Sequence, residues 1–211
     1  MSAPDPETLP RASESDVARP SKDALRATVR LARAHTPDAE RAARDAARLP
    51  RLLDACSGHA TVACYASIAP EPDTTALITA LSDAGVRVLL PVLQGRREPA
   101  WGWYSGPDAL RSGWRGIPEP AGTALGAEAL AACSFVWVSA LQATPTGHRL
   151  GTGGGWYDRA LLHADPAALR GALVNEDELV DSVPLDPWDL PVDLIVTPTR
   201  TLRAGGARRA G

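Results

Sequence analysis

Lysine is nearly missing from this chain. Of its 22 basic residues only Lys22 is lysine, and the other 21 are arginine. Cysteine is scarce as well: Cys56, Cys64 and Cys133 are odd in number and form no Cys-x-x-Cys pair. That excludes a disulfide framework and argues against zinc, and it suits buried thiols in a reducing cytosol. Net positive charge is absent. At −3, with no basic stripe interleaved with aromatics, the chain offers nucleic acid no footprint. No apolar run approaches the ~18 residues of a membrane span, and Met1 to Pro20 carries Pro, Ser and acids instead of an apolar signal core. The 211 residues, 45% hydrophobic and 22% charged, therefore predict one cytoplasmic, monomeric globular domain with tails.

Familiar site motifs are missing too. No Gly-x4-Gly-Lys-Ser/Thr sequence occurs, so a Walker loop is excluded. The dinucleotide fingerprint Gly-x-Gly-x-x-Gly fails because the sixth position from Gly151 is Trp156. The histidines form no visible Ser/His/Asp or Cys/His grouping, which leaves a hydrolase triad weakly supported.

What is present is concentrated in one stretch, Arg149-Leu150-Gly151-Thr152-Gly153-Gly154-Gly155-Trp156-Tyr157-Asp158-Arg159. Glycines without Cβ atoms let successive backbone N–H groups turn into one concavity that fits phosphate oxygens. The residues that follow read as the start of a helix over 156–163, whose positive end would face the same anion. Lys22 opens another helix-like stretch, and its compact ammonium offers three rotating donors that a planar guanidinium cannot imitate at a phosphate. Asp158 and Asp193 are the best magnesium candidates, since a carboxylate beside a phosphate cradle can hold the bridging ion.

The remaining pattern predicts an α/β fold. Helices are expected over 22–35, with Ser21 as cap, and from Thr36-Pro37-Asp38 to about Ala47. A third runs from a cap at Asp73 or Thr74 to about Ala84, and a short one lies near 126–132. Strands are expected over 61–66, 86–90, 101–104, 135–141, 171–174 and 194–197, with an irregular loop over 113–120. Such alternation implies a mostly parallel central sheet with helices on both faces, a Rossmann-like three-layer arrangement. Residues 1–20 read as a disordered arm and 204–211 as a flexible tail. Ligands in such sheets bind beyond the carboxyl ends of the strands, and Glu71, the glycine run and Asp193 all lie in or beside connecting loops.

These pieces, in this order, resemble the 5-formyltetrahydrofolate cyclo-ligase (methenyltetrahydrofolate synthetase) family. The resemblance runs from Lys22-Asp23-Ala24-Leu25-Arg26, through Tyr65-Ala66-Ser67 and Glu71-Pro72-Asp73-Thr74, to Leu89-Leu90-Pro91. It continues in Gly116-Ile117-Pro118-Glu119-Pro120 and the glycine stretch, and ends at Val192-Asp193-Leu194-Ile195-Val196-Thr197. It implies an enzyme that uses ATP and Mg2+ to close 5-formyltetrahydrofolate to 5,10-methenyltetrahydrofolate, releasing ADP and phosphate through a phosphorylated imidate.

Carried over by position, Lys22, Asp23, Ala24, Leu25 and Arg26 would touch ATP, with Lys22 and Arg149 as the catalytic cations. Arg149, Leu150, Gly151, Thr152, Gly153, Gly154, Gly155, Trp156 and Tyr157 would form the nucleotide loop, of which Thr152 to Trp156 would also face the folate. Ala66 and Glu71 would line the pterin pocket, and Asp158 and Asp193 would hold magnesium. Thr152 stands where the family often has a basic residue, and Trp156 where it has Tyr or Phe. The segment Ser139-Ala140-Leu141-Gln142-Ala143-Thr144 replaces a Pro-x-Leu-Ala-Phe-Asp pattern. Two alternatives share these residues: a paralogue acting on another formamide or pterin-like compound, and a nucleotide-binding module without turnover. The segment 139–144 separates them, because its changes either tune packing or remove a pocket contact.

Overall fold

The computed structural model describes residues 20–93 and 98–205. The expected N-terminal arm, apart from Pro20, and all of the expected tail beyond Gly205 lie outside the described residues. Among the described residues there are four α-helices: α1 (Lys22–His35), α2 (Asp38–Ala55), α3 (Thr75–Asp83) and α4 (Trp156–Ala160). The strands, in chain order, are β1 (Thr61–Ala63), β2 (Arg87–Pro91), β3 (Trp101–Trp103), β4 (Leu110–Ser112), β5 (Pro118–Pro120) and β6 (Phe135–Ser139). They continue as β7 (Gln142–Ala143), β8 (Arg149–Leu150), β9 (Leu169–Leu173), β10 (Leu194–Val196) and β11 (Thr201–Arg203).

Seven of the strands form one sheet in the order β11-β10-β9-β6-β1-β2-β3. Every pairing from β10 to β2 is parallel, and the two edge strands are antiparallel. The central strands are near-continuous apolar runs because both faces are covered. On β6, Phe135 and Trp137 face α2 and α3, together with Val62, Leu52 and Leu77. Val136 and Val138 point the other way, to Leu130, Ala160 and Leu161. This two-residue alternation yields the expected three layers. Among the described residues no helix is long and apolar enough to cross a membrane.

Several elements depart from the sequence reading. Helix α2 continues through Pro50 to Ala55. The proline removes one ladder hydrogen bond, but Leu52 and Cys56 are buried beyond it, and that packing decides where the helix ends. Residues 156–163 are only a five-residue α-helix followed by a 3-10 turn, so a macrodipole contributes little and the loop amides themselves must provide the anion contacts. Strand β11 was not anticipated. It places Ala204 against the core, with its amide donating to Asp193 O at 2.9 Å, so the domain extends past Arg203.

Helix α1 does not cover the sheet. Its Val29 packs with Leu141 and Leu150 at the β7–β8 ribbon, beyond the carboxyl end of β6, and with Val183 from the connection before β10. That docking carries the first turn of α1, with Lys22, to the glycine loop that follows β8. A buried ion pair fixes it: Arg33 donates to Glu178 at 2.7 and 2.8 Å and to Ala140 O at 2.9 Å.

Candidate active site

Three segments distant in sequence meet at the glycine loop. From α1, whose first turn Ser21 caps through Ala24 N, Arg26 donates to Gly151 O at 3.0 Å and Arg30 to Thr152 O at 2.7 Å. From β8, the buried Arg149 guanidinium donates to Asp158 at 2.6 Å and to the carbonyl of Leu190. From the proline-rich connection before β10, Asp186 and Asp189 clasp the Lys22 ammonium at 2.7 and 2.5 Å. The loop itself needs glycine at Gly153 (φ +108°) and Gly155 (φ +59°), where L side chains are strained. At Gly151 and Gly154 the space a Cβ would take is open.

Two hollows flank this loop. The smaller, about 310 Å³, is lined by Lys22, Arg26, Arg149, Gly151, Gly153, Asp158 and Asp189 among others. The larger, about 1000 Å³, is lined by Tyr65, Ala66, Glu71, Gly154, Trp114 and Arg115 among others. Ser139, Thr152, Trp156 and Tyr157 belong to both walls, so the loop is a partition between two ligand-sized spaces. Polar atoms on this partition are left over. Trp156 Nε1, Tyr157 Oη and Arg149 Nε are buried without a hydrogen-bond partner among the described residues, and such groups are normally satisfied.

Charge is tuned on each side. Burial disfavours the Asp189 carboxylate, but the Asp186 amide, Lys22 and the nearby Arg149 outweigh it, and its pKa falls below the ordinary value. Burial likewise opposes the Lys22 ammonium, yet its hydrogen bonds to Asp186 and Asp189 raise its pKa. Glu71 goes the other way: burial raises its pKa, only partly offset by the Ile68 amide and the charges of Arg33 and Arg30.

Most of the expected site residues converge. Asp23, Ala24, Leu25 and Leu150 do not line either hollow. Leu25 and Leu150 pack α1 onto the ribbon, and the Asp23 side chain is exposed apart from its pairing with Arg26. Asp193 also lines neither hollow. It precedes β10, and its carboxylate accepts from Arg170 N at 2.9 Å at the amino-terminal end of the sheet. Asp189 lines the smaller hollow together with Asp158. Its one signal was the proline-bracketed run Pro184-Leu185-Asp186-Pro187-Trp188-Asp189-Leu190-Pro191, which forces a turn.

The family model described as the 5-formyltetrahydrofolate cyclo-ligase family matches residues 18–198. The chain belongs to this family. A 5-formyltetrahydrofolate cyclo-ligase of Mycolicibacterium smegmatis is 35% identical over 191 residues, covering 87% of this chain and 97% of that protein. One of Escherichia coli is 32% identical over 143 residues, covering 66% and 79%. The NMR structure of Aquifex aeolicus 5,10-methenyltetrahydrofolate synthetase superposes with a TM-score of 0.72 at 26% identity, over 90% of this chain and 96% of that one. The Mycoplasma pneumoniae synthetase shares the fold at a TM-score of 0.66 and 19% identity, over 84% of this chain and 98% of that one. The chain is thus a cyclo-ligase-family enzyme.

Proposed function

We propose that the enzyme cyclises 5-formyltetrahydrofolate to 5,10-methenyltetrahydrofolate with MgATP, the nucleotide tail in the smaller hollow and the folate in the larger. The observation that carries this reading is the shared wall: Thr152, Trp156 and Tyr157 face both spaces. A formyl oxygen on one side then lies next to a terminal phosphate on the other.

The residues fit a polyphosphate and a hard cation. Open positions at Gly151 and Gly154 let backbone approach an anion closely. Asp158 and Asp189 offer oxygen ligands of the kind magnesium takes. When bound, the metal would spread the charge of the phosphate oxygens; everything else falls to this chain's own side chains. The formyl oxygen attacks the terminal phosphorus and ADP leaves. N10 then attacks the former formyl carbon, the carbon–oxygen bond to phosphate breaks and the N10 proton is lost with the departing phosphate, which closes the ring. An amide oxygen is a weak nucleophile, so alignment and charge neutralisation must provide most of the rate. Lys22 supplies a mobile ammonium once its two carboxylates engage other partners. Arg149 supplies a fixed guanidinium, pinned by Asp158 and Leu190. Glu71, on the wall of the larger hollow, accepts from pterin N–H donors.

Two of the three departures from the family pattern have a structural counterpart. Thr152 lacks a basic side chain, but Arg30 reaches its carbonyl from α1 and Arg26 lies against Gly153. In the segment 139–144, Leu141 and Ala143 are buried in packing, and Thr144 Oγ1 accepts from His148 N in the ribbon turn. Ser139 alone reaches the hollows. These are packing changes, which favours the folate reaction over a different substrate. The test is an absorbance assay for the methenyl product from 5-formyltetrahydrofolate and MgATP. Product formation dependent on both is expected. No product at high enzyme, with nucleotide binding intact, overturns the reading.

A further inference from the structure

Two arginines hold the glycine loop by its carbonyls. Arg30 Nη2 donates to Thr152 O at 2.7 Å, and Arg159 Nη1 donates to Gly154 O at 3.2 Å. The first comes from α1 and the second from α4. Each grips the peptide group just before a glycine with positive φ, Gly153 at +108° and Gly155 at +59°. Neither arginine pairs with a carboxylate among the described residues, so these carbonyls are what the two guanidiniums serve. Both side chains line the larger hollow and not the smaller. Gly153 and Gly155 show the reverse and line the smaller hollow alone.

That division has a geometric cause. A trans peptide is planar, and its C=O and N–H point in opposite directions across the C–N bond. The Thr152 carbonyl shares its plane with Gly153 N–H, and the Gly154 carbonyl with Gly155 N–H. An arginine on the larger hollow that draws the carbonyl therefore turns the amide away from itself, to the side of the smaller hollow. Positive φ at two alternate residues brings both planes round the same way, which glycine does without strain. Among the described residues neither Gly153 N nor Gly155 N donates to a protein acceptor. The loop thus shows the smaller hollow two backbone donors whose direction is set from the other side of the partition.

We infer that Arg30 and Arg159 are positioning residues for the nucleotide, acting from the wall of the folate hollow by fixing the direction of the Gly153 and Gly155 amides. The inference rests on the reading that the phosphate tail fills the smaller hollow. Location alone would give both arginines to the folate, whereas their hydrogen bonds give them to the nucleotide. Donors aimed in advance need no reorganisation when the anion arrives.

The experiment measures MgATP binding by calorimetry without folate, at low and at about 1 M salt, in wild type, Arg30→Met, Arg30→Lys and the Arg30→Met/Arg159→Met double variant. Both arginines are exposed, so the variants should fold, which thermal unfolding checks. Arg30→Met is expected to weaken MgATP about tenfold and the double variant further, the scale of one charge-assisted hydrogen bond. Arg30→Lys keeps a donor and should recover part of the loss. The loss should persist at high salt, where the Debye length is about 3 Å and a charge acting through solvent is screened. In initial rates the KM for MgATP should rise, while that for 5-formyltetrahydrofolate at saturating MgATP stays within about twofold. Unchanged MgATP affinity, a loss that salt removes, or a change confined to the folate KM overturns the positioning role. A wild type that binds MgATP and forms no methenyl product would instead overturn the folate reading, and the calorimetry would still decide this one.

Discussion

Lys22 Nζ lies 2.7 Å from a carboxylate oxygen of Asp186 and 2.5 Å from one of Asp189, on a turn more than 160 residues away in sequence. Two carboxylates converging on one nitrogen suit a point charge with rotating donors better than a planar fork. Lys22→Arg is therefore expected to keep the charge and still raise the KM for MgATP about tenfold, or ~1.4 kcal/mol. Initial rates against MgATP at saturating folate measure this. Unchanged nucleotide kinetics would show that only the charge matters.

The glycine loop separates two kinds of glycine. Gly153→Ala forces an L residue to φ +108°, and a stability loss of about 1–3 kcal/mol is expected in thermal unfolding. Gly151→Ala meets nothing within 4 Å and should unfold like wild type. Its methyl group sits on the wall of the smaller hollow, so nucleotide binding measured by calorimetry should weaken all the same. Equal loss of stability in both variants would contradict this division.

Much of this was legible in the chain. The apolar runs 61–66 and 135–141 marked central strands because a doubly covered sheet has no polar face to break the pattern. The glycine run, Lys22 and Glu71 marked the cleft because their residue types are chemically unusual where they stand. Asp186 and Asp189 were not legible, since short acids among prolines look like any turn until Lys22 is known to face them. Asp193 shows the complementary case: an acid next to a buried strand is easy to see, but strand direction, which the residue itself does not report, decides which end of the sheet it occupies. Helix α2 runs beyond the expected end near Ala47, through Pro50, because Leu52 and Cys56 are buried beyond it.

The Arg33–Glu178 pair seats α1. Both side chains are about 95% buried, and the Glu178 carboxylate also takes the Asn175 amide. Arg33→Met leaves that carboxylate buried without its cation, which typically costs about 3–5 kcal/mol. Chemical denaturation should show a loss of that size. Replacing both partners with apolar residues should recover much of it, because the uncompensated charge is gone.

Glu71 gives the enzyme a pH dependence on the folate side. Its pKa is raised by burial, so its contribution to stability is fully present below the ordinary glutamate value and is lost as pH rises through the raised one. Binding runs in the opposite sense, because only the carboxylate accepts two pterin N–H donors. KM for 5-formyltetrahydrofolate should fall as pH rises through the raised Glu71 pKa. In Glu71→Gln that step should vanish and KM should stay high. A Glu71→Gln enzyme that keeps the same KM–pH profile would place the titrating group elsewhere.

Asp158 and Asp193 cannot serve one ion if they stand at opposite ends of the sheet, whereas Asp158 and Asp189 share a hollow. The depressed Asp189 pKa keeps it ionised at neutral pH, and the stability it adds is present above the ordinary aspartate value and lost as pH falls through the depressed one. An ionised oxygen ligand is what magnesium needs. Asp189→Asn is expected to raise the magnesium concentration for half-maximal rate about tenfold. Asp193→Asn should leave that requirement unchanged and cost only about 1 kcal/mol through its bond to the Arg170 amide. Rate against magnesium at fixed ATP, with unfolding measured alongside, separates the two. A magnesium requirement that moves with Asp193 and not with Asp189 would restore the assignment the sequence order suggested.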